Sequence, residues 1–205
     1  GHLTNEVLMG RVPFDPINDF KPVARLASVM LVMVVPADSP LKSVGDIIEA
    51  AKKNPGRLSY ASAGSGSSQH LSAAAFQYAA GVQFLHVPYK TQAAALTDTL
   101  SGRVSFTFTA LATAKTQMAS GRIRALAVTG PRRSQSLPEL PTVAESGLPG
   151  YEFFSFNAVF VPAGTSDDIV RKFSDALASA TRTVQFTEMA KAQGFESDFA
   201  DVKAW

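Results

Sequence analysis

Leu58-Ser59-Tyr60-Ala61-Ser62-Ala63-Gly64-Ser65-Gly66-Ser67-Ser68-Gln69-His70 is a short apolar strand that breaks into a Gly/Ser loop and restarts as a helix. A strand feeding a helix through so short a loop is the opening half of a βαβ unit, which points to an α/β fold. The loop also reads as a socket for an anion. A helix start leaves about four backbone N–H groups without partners and carries roughly half a positive charge, so a carboxylate or phosphate fits there. Gly64 and Gly66 let the backbone approach a ligand, and the hydroxyls of Ser62, Ser65, Ser67 and Ser68 add neutral donors. One such side chain suffices to cap a helix; four exceed that need.

Working outward, the pattern repeats. Upstream, Leu26–Val35 is apolar except for Ser28 and reads as a buried strand, about half the length of the roughly 20 residues a membrane helix needs. Ser43 is placed to cap a helix with Asp46 and Glu49 early and Lys52 and Lys53 late, ended by Asn54-Pro55-Gly56. Downstream, the helix from Ser67 to Ala80 stops at Gly81, and strand 84–87 follows. Helix 92–101 leads to strand 104–108, and helix 113–120 to strand 123–128. Ser101-Gly102-Arg103-Val104 and Ser120-Gly121-Arg122-Ile123 mark the same helix-to-strand turn twice, without matching flanks that would signal a repeat fold. The alternation implies a largely parallel sheet with ligand loops at the carboxyl ends of its strands.

The ends of the chain read differently. Pro13, Pro16 and Pro22 argue against a helix or central strand in the first 25 residues. A proline- and glycine-rich excursion over 134–150 precedes strand 154–161 and looks like a crossover between lobes. The closing helix starts at Thr165-Ser166-Asp167-Asp168 and puts Ile169, Val170, Phe173, Ala176, Leu177 and Ala180 on one face, the spacing of a core-facing stripe. A last short helix ends at Gly194. Gly1-His2-Leu3-Thr4 lacks the basic-then-apolar pattern of a signal peptide, and Gly1-His2 fits a tag remnant.

Composition narrows the function. The 205 residues are 46% hydrophobic, ample for one large or two small cores, and the net charge of +2 is spread without a basic run. That argues against nucleic acid as a partner. Without cysteine there are no disulfides, thiolates or cysteine metal sites, and three scattered histidines lack metal-ligand spacing.

Competing motifs fail around the loop. Gln69 stands where a dinucleotide fingerprint needs its third glycine, and strand 84–87 ends in Pro88-Tyr89-Lys90 rather than an acidic residue. No Gly-Lys-Ser/Thr follows for a P-loop. A nucleophile elbow needs G-x-S-x-G, whereas the loop reads G-S-G-S-S. His70, three residues inside a helix start, and His86, within an apolar strand, read as hydrogen-bonded structural histidines. Tyr89 is an even choice between packing and anion contact, and Lys90 reads as solvated. Thr107 and Thr109 share one strand face, Phe106 and Phe108 the other, with Thr109 nearer the ligand edge.

The series Tyr60–Leu71, His86-Val87-Pro88-Tyr89-Lys90, Ala94-Ala95-Leu96-Thr97-Asp98, Gly121–Thr129, Leu140–Gly150 and Val161-Pro162-Ala163-Gly164-Thr165 resembles the Bug family, the TctC-type extracytoplasmic solute-binding proteins of tripartite tricarboxylate transporters. The resemblance implies an α/β, type II periplasmic-binding-protein-like fold with two mixed-sheet lobes, the second complete and the first partial. Residues 28–153 would be the second lobe, and 1–27 with 154–205 the remnant of the first. It implies a periplasmic, monomeric receptor with no catalysis and no cofactor. Such a receptor would close on a small carboxylate (a di- or tricarboxylate, an aromatic acid or an acidic amino acid) and deliver it to membrane permease subunits. The implied ligand-binding residues are Ser62, Ala63, Gly64, Ser65, Gly66, Ser67 and Ser68, with Tyr89 and Thr109 facing the cleft.

Two departures accompany the resemblance. Family members begin with a strand and a Pro-Phe-x-x-Gly-Gly loop bearing an Asp, so roughly a quarter of the protein, including the first anion loop, is expected to precede this chain. Weak affinity or none is then expected of the chain by itself. Thr109-Ala110 stands where members often carry Asp-Asn, and Thr91 where glycine is common; an Asp suits an amino group and a Thr does not demand one. A serine-dependent esterase on the same loop, and a carboxylate-sensing interaction module, are the alternative readings.

Overall fold

The computed structural model describes residues 13–203; Gly1–His2 and the opening of the proline-punctuated segment at Arg11 and Val12 lie outside the described residues. The chain divides into two compact units, Met30–Ser155 and a second formed by the residues up to Val29 with those from Phe156 onward.

The larger unit is built on a sheet of order β3-β2-β4-β1-β5. Its strands are β1 (Phe20–Pro36, shared with the smaller unit), β2 (Ser59–Ser62), β3 (Leu85–Pro88), β4 (Phe106–Ala110) and β5 (Ile123–Val128). Strand β2 runs parallel to β3 and β4, whereas β1 is antiparallel to β4 and β5. The sheet is therefore mixed, with one reversed strand inside an otherwise parallel set. Alternation along β1 explains its unbroken apolar run. Leu31, Met33 and Val35 enter one core cluster while Met30, Val32 and Val34 enter another, so both faces of the strand are covered.

Helices α1 (Val44–Lys53) and α2 (Ser68–Ala80) supply Val44, Ile47, Ala51, Ala73 and Phe76 to the first cluster. Helix α4 (Leu111–Ala119) supplies Leu111 and Ala114 to the second, and α3 (Gln92–Leu100) packs Ala95 on Ala61 and Val104. Helix α1 starts where the sequence places it because Ser43 and Asp46 form a reciprocal capping box: the Asp46 amide donates to Ser43 Oγ at 3.0 Å, and the Ser43 amide donates to Asp46 Oδ2 at 3.1 Å. The twin turns are the same motif twice. Gly102 and Gly121 have φ of 73° and 67°, and the following arginine amides donate back to Asp98 and Gln117. This six-to-one bond around a left-handed residue favours glycine for want of a Cβ clash.

In the smaller unit, β6 (Phe154–Pro162) and β7 (Glu196–Asp201) pair with β1, the latter antiparallel at Ala24–Ser28. Arg25 and Ser28 both bind Asp198, at 3.1 and 2.8 Å. Two expectations are corrected here. Strand β1 begins at Phe20, so Pro22 lies within it. Pro22 precedes Ala24, where pairing with β7 starts, so its missing N–H costs that ladder no donor. The stripe on α5 (Asp167–Thr181) is not a covered face: Val170 is buried, but Ile169 is 57% and Phe173 42% exposed, and Ala176 and Ala180 are exposed too. Periodicity identifies an apolar face without supplying the partner that covers it. Helix α6 (Val184–Gln193) ends at Gly194.

Candidate functional site

Because β2, β3 and β4 run parallel, their carboxyl ends share one edge of the sheet, and each leads within a few residues into a helix. Three helix N-termini therefore gather there: α2 behind Ser67, α3 behind Thr91, and α4 behind Ala110. Ser67 Oγ accepts from the His70 amide and Thr91 Oγ1 from the Ala94 amide, whereas Ala110 offers α4 no side-chain cap. The first-turn amides and the aligned peptide dipoles make this edge attractive to anions.

The Gly/Ser loop divides its hydroxyls between two tasks. Ser62 is fully buried; its Oγ accepts from the Gly64 amide at 3.1 Å and lies 2.7 Å from His86 Nε2. Ser67 Oγ donates to the Gly64 carbonyl at 2.7 Å, and the Ser67 amide donates to that same oxygen at 3.2 Å. These two serines build the loop. Ser65, which is exposed, and Ser68, half-buried, carry hydroxyls with no partner among the described residues, as do the amides of Ser65, Ser68 and Gln69. Gly64 and Gly66, at φ of 104° and 80°, hold a backbone shape that a Cβ would strain. Ala63, half-buried, completes the turn.

The remaining sequence-expected residues have taken partners. The Tyr89 amide donates to the Ser62 carbonyl at 2.9 Å, which ties the end of β3 to the loop. Its phenol donates to Asp98 Oδ2 at 2.8 Å; burial first, and then that carboxylate, push it above the ordinary tyrosine value. Thr109 is fully buried and accepts from Gln92 Nε2 at 2.9 Å. Lys90 is exposed. Sequence reasoning missed Gln92, whose one signal is its place as the first residue of α3. It also treated His70 and His86 one at a time. They stack, with ring centroids 4.5 Å apart, and Tyr60 stacks on the other face of His86 at 4.8 Å. The parallel register that sets Tyr60 beside His86 is not written in either segment alone.

A surface hollow of about 550 Å³, lined by Asp38, Thr97, Ser101 and Arg122 among others, lies by the carboxyl end of α3, whereas the loop edge holds that helix's amino end. Among the described residues no three His, Asp or Glu side chains group as a metal site, and no helix is long and apolar enough to cross a membrane.

A mixed α/β sheet presenting βα loops from one edge is the architecture of the periplasmic-binding-protein-like α/β proteins. Comparison with known proteins narrows this. The model of the TctC family, the tripartite tricarboxylate transporter family receptor, matches residues 3–203, and the chain belongs to that family. A protein encoded in the tcbD-tcbE intergenic region of Pseudomonas sp. (strain P51) is 37% identical over 198 residues, 96% of this chain and 59% of that protein. Among solved structures, R. palustris Rpa4515 with adipate has a TM-score of 0.77 at 37% identity, covering 92% of this chain and 63% of that one. The periplasmic binding protein BugD has a TM-score of 0.71 at 32% identity, covering 89% and 61%. The chain thus spans less than two thirds of each of these relatives.

Proposed function

We propose that this chain carries the carboxylate-binding half of a periplasmic solute receptor, with Met30–Ser155 as the ligand-binding lobe and the smaller unit as part of a second. The observation that carries this reading is the gathering of three helix N-termini beside the open donors of Ser65, Ser68 and Gln69. A loop whose donors were all consumed internally would be a mere cap; here the donors facing no partner are those of the helix start. The adipate held by a relative of 37% identity favours a dicarboxylate as the class of ligand. In the whole protein the bound acid would be handed to membrane permease subunits, as membership of a transporter receptor family suggests. Ser62 to Ser68 form the contact loop, of which Ser65 and Ser68 donate directly and Ser62 and Ser67 hold the shape. Tyr89 and Thr109 brace the same edge.

One observation favours an esterase: Ser62 Oγ and His86 Nε2 stand 2.7 Å apart, the spacing of a nucleophile and its base. Burial of this serine argues against it, because Ser62 has no exposed surface. The pair serves the loop.

The reading is tested by following backbone amide resonances of the chain as adipate is added to millimolar concentration. Shifts centred on Ser65, Ser68 and Gln69 are expected. Shifts centred on another part of the chain would overturn the assignment.

A further inference from the structure

His70 and His86 each hold a different part of the Gly/Ser loop, His86 through Ser62 and His70 through the Gly66 amide, which donates to His70 Nδ1 at 3.1 Å. The second bond fixes the state of its ring. Nδ1 accepts only while unprotonated, so in this arrangement His70 is neutral and carries its hydrogen on Nε2. A further proton has one place to go, which is Nδ1. Once there it removes the acceptor, sets N–H against N–H and frees the Gly66 amide.

The loop does not depend on that bond alone. The Gly64 carbonyl keeps both Ser67 donors, Gly64 keeps Ser62, and the Tyr89 amide keeps the Ser62 carbonyl. Protonation therefore changes which donors the loop offers without dismantling it.

We propose that His70, stacked on His86, is a proton-linked positioning residue of the anion loop: neutral, it withholds the Gly66 amide; protonated, it releases that amide to the ligand and adds a positive charge behind it. This rests on the carboxylate site proposed above. Anion and proton then bind cooperatively, so affinity rises as pH falls, and each bound anion draws a proton onto His70.

The groups facing the pair leave this linkage undisturbed. From β2 comes the Tyr60 phenol, pushed up to about 12 by burial and neutral throughout. From β3 comes His86, held below the ordinary histidine value by burial first and by His70 second. The loop contributes backbone groups and the Ser62 hydroxyl, and neither ring makes an ion pair among the described residues.

Sulfate is the probe, since its charge stays constant across the range. Its affinity is measured from amide shifts of the ¹⁵N-labelled chain at about one pH unit above and below the ordinary histidine value of 6.5. Severalfold tighter binding at the lower pH is expected, with Gly66 among the shifted amides. In His70→Asn, whose Oδ1 replaces Nδ1 as acceptor but does not titrate, the pH difference should vanish. Equal affinity at both pH values in the unmodified chain, or a difference that survives in His70→Asn, would overturn the proposal while leaving the site intact. Sulfate that moves no loop amide at either pH defeats the site reading itself. Should His70→Asn not fold, the ring nitrogens of the unmodified chain decide: an unprotonated Nδ1 at neutral pH supports the proposal and a protonated one overturns it.

Discussion

Nε2 of Gln92 donates to Oγ1 of Thr109 at 2.9 Å, joining the first residue of α3 to the penultimate residue of β4. This bond links two of the three helix starts on the ligand edge. Thr109 is fully buried and Gln92 half-buried. Thr109→Val keeps the shape and removes the acceptor, and Gln92 can turn to water, so a loss of about 1 kcal/mol is expected in urea denaturation. A loss well beyond that would mean that Thr109 holds more than Gln92.

Ser72 and Tyr151 make a second buried pair, with their hydroxyl oxygens 2.8 Å apart and the phenol also donating to the Ser72 carbonyl at 3.1 Å. Tyr151→Phe leaves the buried Ser72 hydroxyl without that partner and is expected to cost about 1–3 kcal/mol. Adding Ser72→Ala removes the stranded group as well. The double variant should therefore lose less than the sum of the two single losses, as a double-mutant cycle would measure.

The buried tyrosines also set an alkaline limit. Burial pushes the Tyr60 phenol from its ordinary 10.0 up to about 12, and raises Tyr151 as well. An acid whose folded pKa is raised is neutral in the fold, so its stabilisation is whole below pH 10.0 and is lost as pH rises through about 12. Denaturation midpoints should fall across that window, and fall less in Tyr60→Phe. A flat profile would show that water reaches the phenol.

Most of the larger unit was legible because its signals are local. The cap at Ser43, the left-handed stop at Gly81 and the twin Ser-Gly-Arg turns need only neighbouring residues to act. What was not legible depends on pairing. The reversal of β1 between β4 and β5 is set by tertiary contacts, since an apolar strand buried on both faces reads alike in either direction. The α5 stripe has helical periodicity, yet nothing in a period says whether Ile169 and Phe173 find cover. At the site, the loop was visible from its glycines and serines, but the division of labour among the serines was not. Which hydroxyls brace Gly64 and which stay open is decided by a fold in three dimensions, where His86 comes from a different strand.

That division gives the sharpest test of the site, at Ser68, the first residue of α2. Its hydroxyl is open, and α2 has no acidic residue in its first turn. Ser68→Asp places a carboxylate where the helix dipole welcomes one, so stability should hold or rise by about 0.3–1 kcal/mol. The same carboxylate occupies the anion socket and repels a ligand carboxylate. At about 4 Å and an effective dielectric near 20 the repulsion is on the order of 4 kcal/mol before screening, enough to weaken binding by tenfold or more. Ser68→Ala, which removes one neutral donor and adds no charge, should weaken it only severalfold. Thermal denaturation and amide-shift titration with adipate read the two quantities separately. A Ser68→Asp chain that is stable and still takes adipate with unchanged affinity would show that the ligand sits elsewhere on the edge, and α4, uncapped at Ala110, would be the helix start to test next.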